Sequence, residues 1–247
     1  EPIYIGDGFM LMLFFQLIKC DMIILTLSNL GENQIKKVKT CKNYLYFFHS
    51  YCSTHKLYEQ FAFKNYDIIL TVGDFQTEEL KKAEEFYNLP KKNIFKVGYF
   101  YYEKLNSLKN LNKKIENNII FAPSWSRNKK NLFSDYSIEI ISNLIEKNFS
   151  VTFRTHPETL KREKKILSII KKNFKSNPKF ILNTDLNDIS GFENSELLIT
   201  DNGGVGLEYS LIYEKPVLYI NYEEKVHNTK YKDLQIEPFE DKFKRKF

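Results

Sequence analysis

The 247-residue sequence predicts the α/β class, as two domains that each carry a doubly wound parallel sheet. Three observations carry that expectation. Short apolar runs without strict alternation recur along the chain, as strands buried on both faces require. Amphipathic stretches long enough for helices separate them, which marks strand–helix–strand units rather than hairpins. Near the middle, "NSLKNLNKKIENN" (106–118) is rich in Asn and Lys, poor in core residues, and reads as a linker.

Taken in order, the first strands are expected at Ile3–Ile5, Met22–Leu27, Tyr44–Phe48, Ile68–Val72 and Ile94–Val97. The second series is Ile119–Ala122, Ser150–Arg154, Phe180–Leu182, Leu197–Thr200 and Val217–Ile220. The stretch "GFMLMLFFQLIKCDMIILTL" (8–27) is interrupted by Lys19 and Asp21, and its apolar part falls short of the ~20 residues a membrane span needs. It reads as a buried helix, Met10–Ile18, followed by a strand. "TEELKKAEEFY" (77–87) opens on Thr and acidic residues, as helix starts prefer. Asp135–Lys147, Thr159–Phe174 and Val205–Tyr213 are the other helices. The linker sets the domains at 1–112 and 113–247. The chain opens on Glu1 beside an apolar stretch and reads as a piece of a longer protein.

Composition narrows the partners. A net charge of +6 favours anionic substrates or an anionic membrane surface. Of the 37 basic residues, however, only Arg127, Arg154, Arg162 and Arg245 are arginines. Lysine spread over solvated faces is what an AT-rich genome produces, and it argues against nucleic acid. Cys20, Cys41 and Cys52 are unevenly spaced without a CxxC pair, so neither a zinc site nor a disulfide framework is expected. A reducing cytoplasm is the expected setting, with no metal and no cofactor.

The ends of the second-series strands hold the residues with chemistry. "IIFAPSWSRN" puts Ser124, Trp125 and Arg127 at one carboxyl end, "VTFRTHPE" puts Arg154 and His156 at another, and "LLITDNGGVGLE" ends in Asp201, Asn202, Gly203 and Gly204. Parallel strands would bring all three to one sheet edge, where ligands bind in open α/β sheets. A guanidinium, an imidazole, a hydroxyl and a Gly-rich helix start make an anion pocket. Each also has a structural reading. Asp201 is a candidate N-cap, Gly203–Gly204 a tight corner, His156 a turn residue and Glu208 a solvated helix residue.

In the first domain His49 follows an apolar strand directly, where an imidazole can serve as general base toward a hydroxyl. His55 lies six residues on, beyond Ser53 and Thr54, and reads as a helix-start residue, with a place on the acceptor side as the alternative. Gly6 and Gly8 in "YIGDGF" resemble a weak phosphate or substrate loop.

"FAPSW" (121–125), "FRTHP" (153–157) and "LLITDNGGVGLEYSLIYEKPVLYIN" (197–221) resemble motifs of the CDP-glycerol glycerophosphotransferase family. "YIGDGF", "FFHSYCSTHKLY" and "VGDFQTEELKKAEEFYNLPKKNIFKVGY" extend the resemblance over nearly the whole chain. It implies a GT-B-like fold of two Rossmann-like domains facing a cleft. It also implies transfer of a polyol phosphate from a CDP-activated donor to a surface-polymer or lipid-linked acceptor, with peripheral contact at the inner membrane face. His49 takes the place of the family's base. Arg154 and His156 match the motif that meets the pyrophosphate. Asp201 with Gly203–Gly204 matches the donor corner, and Glu208 the ribose side. Phe48 and Ser50 depart from the Trp and Gly usual around the histidine, and Asn202–Gly204 replace hydroxyl residues, which leaves a nucleotide-sugar glycosyltransferase and a non-catalytic nucleotide-binding domain as rivals. The basic, aromatic C-terminal tail is expected to be solvated or to touch a membrane.

Overall fold

The computed structural model describes residues 8–32, 35–109, 117–126, 130–185, 188–222 and 224–244. The chain divides into two compact units: Glu1–Tyr99 with Val226–Phe247, and Phe100–Lys225. The division therefore does not fall at 112/113. Helix α4 (Phe100–Leu108) runs into the expected linker, and its buried Leu105 packs with Phe192, Tyr209 and Ile212 of the second unit. The tail from Val226 belongs to the first unit.

In the first unit, strands β1 (Cys20–Leu25), β2 (Cys41–Phe47), β3 (Ile68–Thr71) and β4 (Asn93–Lys96) form a parallel sheet in that order. Its core is aromatic. Tyr46 is fully buried and meets Phe48, Phe63 and Tyr66 edge-on at 4.8, 4.8 and 5.2 Å, the geometry that ring quadrupoles favour. The helices are α1 (Phe9–Leu17), α2 (Thr54–Leu57) and α3 (Asp74–Phe86), with α10 (Phe239–Lys244) supplied by the tail. Helix α1 corrects the expectation of a buried helix: none of its residues is buried, and Phe9 is 75% exposed. The strand that follows it, β1, is an edge strand, and Ile24 of β1 is likewise exposed. The expected strand Ile3–Ile5 and Gly6 lie outside the described residues.

In the second unit, strands β5 (Asn118–Phe121), β6 (Ser150–Arg154), β7 (Phe180–Asn183), β8 (Leu197–Thr200) and β9 (Val217–Tyr219) are all parallel, in the order β7-β6-β5-β8-β9. Successive residues of β5 face opposite cores. Ile119 and Phe121 pack toward α5 (Leu132–Glu146) and α7 (Lys164–Phe174), Ile120 and Ala122 toward α4 and α9 (Gly204–Tyr213). That makes the sheet doubly wound. The expected helix Thr159–Phe174 is two helices, α6 (Pro157–Arg162) and α7, divided at Glu163, whose φ −109° and ψ 36° depart from helix. Lys215 donates to the carbonyls of Phe192, Glu193 and Ser195 at 2.7–3.0 Å, holding the end of α8 (Ser190–Glu193) onto the start of β9.

Gly206 is required by packing. A Cβ there would stand 2.6 Å from Tyr219 Oη and 2.9 Å from two ring carbons. Gly206→Ala gains up to about 1 kcal/mol of helix propensity, but displacing the half-buried Tyr219 ring costs about 1–3 kcal/mol. We expect a net loss of stability, read as a lower urea midpoint with an unchanged slope; a higher midpoint would contradict it.

Candidate functional site

The strand order reverses between β5 and β8, and such a reversal opens a crevice at the carboxyl edge. Here the crevice floor is stitched. Ser124 donates its N–H to Asp201 Oδ1 at 2.8 Å and its hydroxyl to Oδ2 at 2.9 Å. Thr200 Oγ1 donates to the Ala122 carbonyl at 2.7 Å. Asp201 is 6% exposed and Ser124 8%. Asp201 thus acts as a brace between two strand ends and is not the N-cap of α9. Above the stitch lies a small recess lined by Ser124, Ser126, Asn131, Asn202, Tyr222 and Lys225, with the carboxylates of Asp201 and Glu224 also on its wall.

Helix α9 begins at this recess. Its N-cap is Gly203, no side chain caps it, and its first turn carries no acidic residue. First-turn N–H groups without a capping side chain, at the positive end of a ten-residue helix, favour an anion. The fold does not itself demand glycine at 203, since a Cβ would meet Ser124 Cβ and Thr200 Oγ1 at 3.4 and 3.5 Å.

His156 sits two residues past β6 and N-caps α6. Its Nδ1 accepts from the Glu158 N–H at 3.1 Å. A ring nitrogen that accepts carries no proton, so the other nitrogen holds it: the neutral ring presents Nε2–H. The ring lies near-parallel to Trp125, 6.4 Å between centroids, and the Arg162 guanidinium stands 5.7 Å from the Trp125 ring. The residue is exposed at its rim, yet partial desolvation first and the Lys225 charge second push its pKa down, against a smaller opposite pull from Glu158. We expect nitrogen NMR to show an Nε2–H tautomer that titrates below 6.5. An Nδ1–H signal would contradict the capping geometry.

Arg154 does not join this group. Its Nη1 donates to the carbonyls of Asp188 at 2.8 Å and Asp185 at 3.3 Å, and its guanidinium lies 4.7 Å over the Phe192 ring. Glu208 is an electrostatic neighbour of Arg154 and Tyr101, so these residues form a cluster of their own. Arg127 lies outside the described residues. Asn131, Tyr222 and Lys225 went unnoticed in the sequence, where a loop Asn, Tyr or Lys carries no signal until strand order is known.

In the first unit His49 follows β2 and is exposed, and its carbonyl accepts from Tyr99 Oη at 3.2 Å. Partial burial of the ring lowers its pKa. His55 is different: its side chain is 1% exposed, Nδ1 lies 3.3 Å from Glu79 Oε2, and Nε2 lies 3.1 Å from the Ile236 carbonyl. The expectation of an acceptor-side His55 is therefore corrected, because the ring is enclosed by α3 and the tail. Gly8 is the N-cap of α1 with φ +68° and open space around it.

Fold and site together define a two-unit α/β protein with a doubly wound sheet whose switch-point edge gathers donors for an anion. The chain belongs to the CDP-glycerol:poly(glycerophosphate) glycerophosphotransferase family, whose sequence profile matches residues 43–243. No curated protein matches the sequence. Among solved structures, the wall teichoic acid polymerase TagF is 14% identical over 83% of this chain and 54% of its own, with a TM-score of 0.48. The UDP-GlcNAc 2-epimerase of Methanocaldococcus jannaschii is 15% identical over 94% of this chain and 71% of its own, TM-score 0.45. S. aureus TarM is 14% identical over 81% and 43%, TM-score 0.43. The chain spans about half the length of TagF. Among the described residues no helix is long and apolar enough to cross a membrane.

Proposed function

We propose that this protein transfers a glycerol-phosphate or related polyol-phosphate unit from a CDP-activated donor to a hydroxyl of a cell-surface polymer precursor. The observation that carries the reading is the family match across 43–243, within which the uncapped α9 start, His156 and Lys225 lie at one sheet edge. The acceptor oxygen attacks the donor's β-phosphorus, the bond to the CMP oxygen breaks, and CMP departs. Such a transfer depends on positioning and charge stabilisation. The α9 N–H groups, Lys225 and His156 Nε2–H are suited to the diphosphate oxygens. Because His156 Nδ1 is occupied as an acceptor, this residue supplies a hydrogen bond more readily than a full proton. His49 takes the acceptor proton. Asp201 holds Ser124 in place, and Arg154 braces the β7–α8 loop; neither is assigned a donor contact. A lipid-linked acceptor at the inner membrane face is part of the same proposal, and the net charge of +6 favours such a surface.

The test is turnover of CDP-[14C]glycerol with a polyol-phosphate acceptor, beside a panel of nucleotide-sugars. Release of CMP with label in the acceptor supports the reading. Turnover of a nucleotide-sugar with none of any CDP-polyol would overturn it.

A further inference from the structure

We infer that the C-terminal segment from Val226 onward is a positioning element for the His49 loop, with Glu240 as its anchor. The inference rests on the base role proposed for His49. The end of the loop that follows β2, and helix α2 after it, are tied to this segment. Glu240 Oε1 accepts the Ser53 N–H at 2.7 Å, and Ser53 Oγ accepts the Phe239 N–H at 2.6 Å. In α2, which follows the loop, the His55 ring meets the Ile236 carbonyl, Lys56 Nζ pairs with Asp241 at 2.8 Å, and Asn228 Nδ2 donates to the His55 carbonyl at 2.9 Å. Ser53 and the three residues after it are all buried.

A second path reaches His49 itself. Phe239 stacks on Phe75 at 4.2 Å and both flank Tyr51, whose ring meets Tyr99 edge-on at 5.0 Å. Tyr99 Oη then holds the His49 carbonyl. These contacts join residues about 187 positions apart, so local sequence does not determine the loop conformation. Glu240 is a costly way to build such an anchor. Its Oε2 is buried with no hydrogen-bond partner in the described structure, and burial, with Glu79 adding to it, raises its pKa. A buried carboxyl with one satisfied oxygen is a specific device rather than generic packing.

The experiment compares the full chain with Glu240→Ala and Glu240→Gln. Gln keeps an oxygen for the Ser53 N–H, whereas Ala keeps none. With Glu240→Ala we expect kcat to fall on the order of tenfold, short of the 10²-fold that a full ångström of misplacement costs. KM for the donor and CDP affinity should stay within about twofold, because they belong to the other unit, and Glu240→Gln should restore most of the rate. Unchanged kcat, or equal loss with Gln, would overturn the inference. If the unaltered chain transfers nothing, the function reading fails, and the inference is judged by NMR of the four histidines. Glu240→Ala should then move the His49 resonances and bring its titration toward the ordinary value, while a His49 signal identical to wild type overturns it. Should Glu240→Ala not fold, Phe239→Leu, which thins the ring stack, is held to the same two readouts.

Discussion

Asp201→Ala should lower the stability of the second unit by about 3–5 kcal/mol, the largest loss from any single polar group at the candidate site. The carboxylate accepts two hydrogen bonds from Ser124, both in a buried setting. Truncation leaves an N–H and an O–H facing a void, and each unsatisfied buried donor costs about 1–3 kcal/mol. Asp201→Asn should cost less, since the amide oxygen still takes the Ser124 N–H and the amide nitrogen can donate to the rotated hydroxyl. Trp125 is the only tryptophan of the chain and belongs to the same loop, so its fluorescence during urea unfolding reports this region. Ser124→Ala removes only the hydroxyl bond. The double variant with Asp201→Ala should therefore cost clearly less than the sum of the two single variants. Additive losses, or a loss below about 1 kcal/mol for Asp201→Ala, would mean that Asp201 is not the brace.

That role shows where sequence reading ends. The strands were legible because continuous apolar runs admit little else: Ser150–Arg154 and Leu197–Thr200 stand where expected to the residue. The gathering of Ser124, His156 and Asp201 at one edge followed from parallel strands alone. What each side chain does there depends on which strands are neighbours, and Ser124 meets Asp201 across 77 residues. His49 follows an apolar strand and His55 follows Ser53 and Thr54, and that much was legible. One is exposed, while the other is enclosed by Glu79 and Ile236, partners too distant in sequence for the local pattern to announce. Arg154 looked like an anion ligand because it ends a strand beside His156, yet its Nη1 is spent on two backbone carbonyls. The tail read as a solvated end because it is charged and aromatic. Those same charges and rings are what it uses to grip the His49 loop.

In the proposed transfer, His49→Ala should lower kcat by about 10²–10⁴-fold, the range that a positioned general base contributes. CDP affinity should be unchanged, since the α9 start, His156 and Lys225 belong to the other unit. The pH dependence carries a sign that can be worked out. Burial lowers the His49 pKa from 6.5, because a desolvated ring resists the charged form. A base works when neutral, so kcat should rise with pH through a value below 6.5 and be flat around neutrality. The same shift enters stability. The folded chain binds the proton less readily than the unfolded one, so this contribution is present above the unfolded pKa and is lost as pH falls. His49→Ala should thus remove the acid limb of the rate profile and soften the acid loss of stability together. His156→Ala should instead weaken CDP binding while leaving that limb in place. A variant at His49 that kept the limb with a reduced plateau would assign the proton to another group, and the residual rate of His49→Ala measures what donor positioning contributes alone.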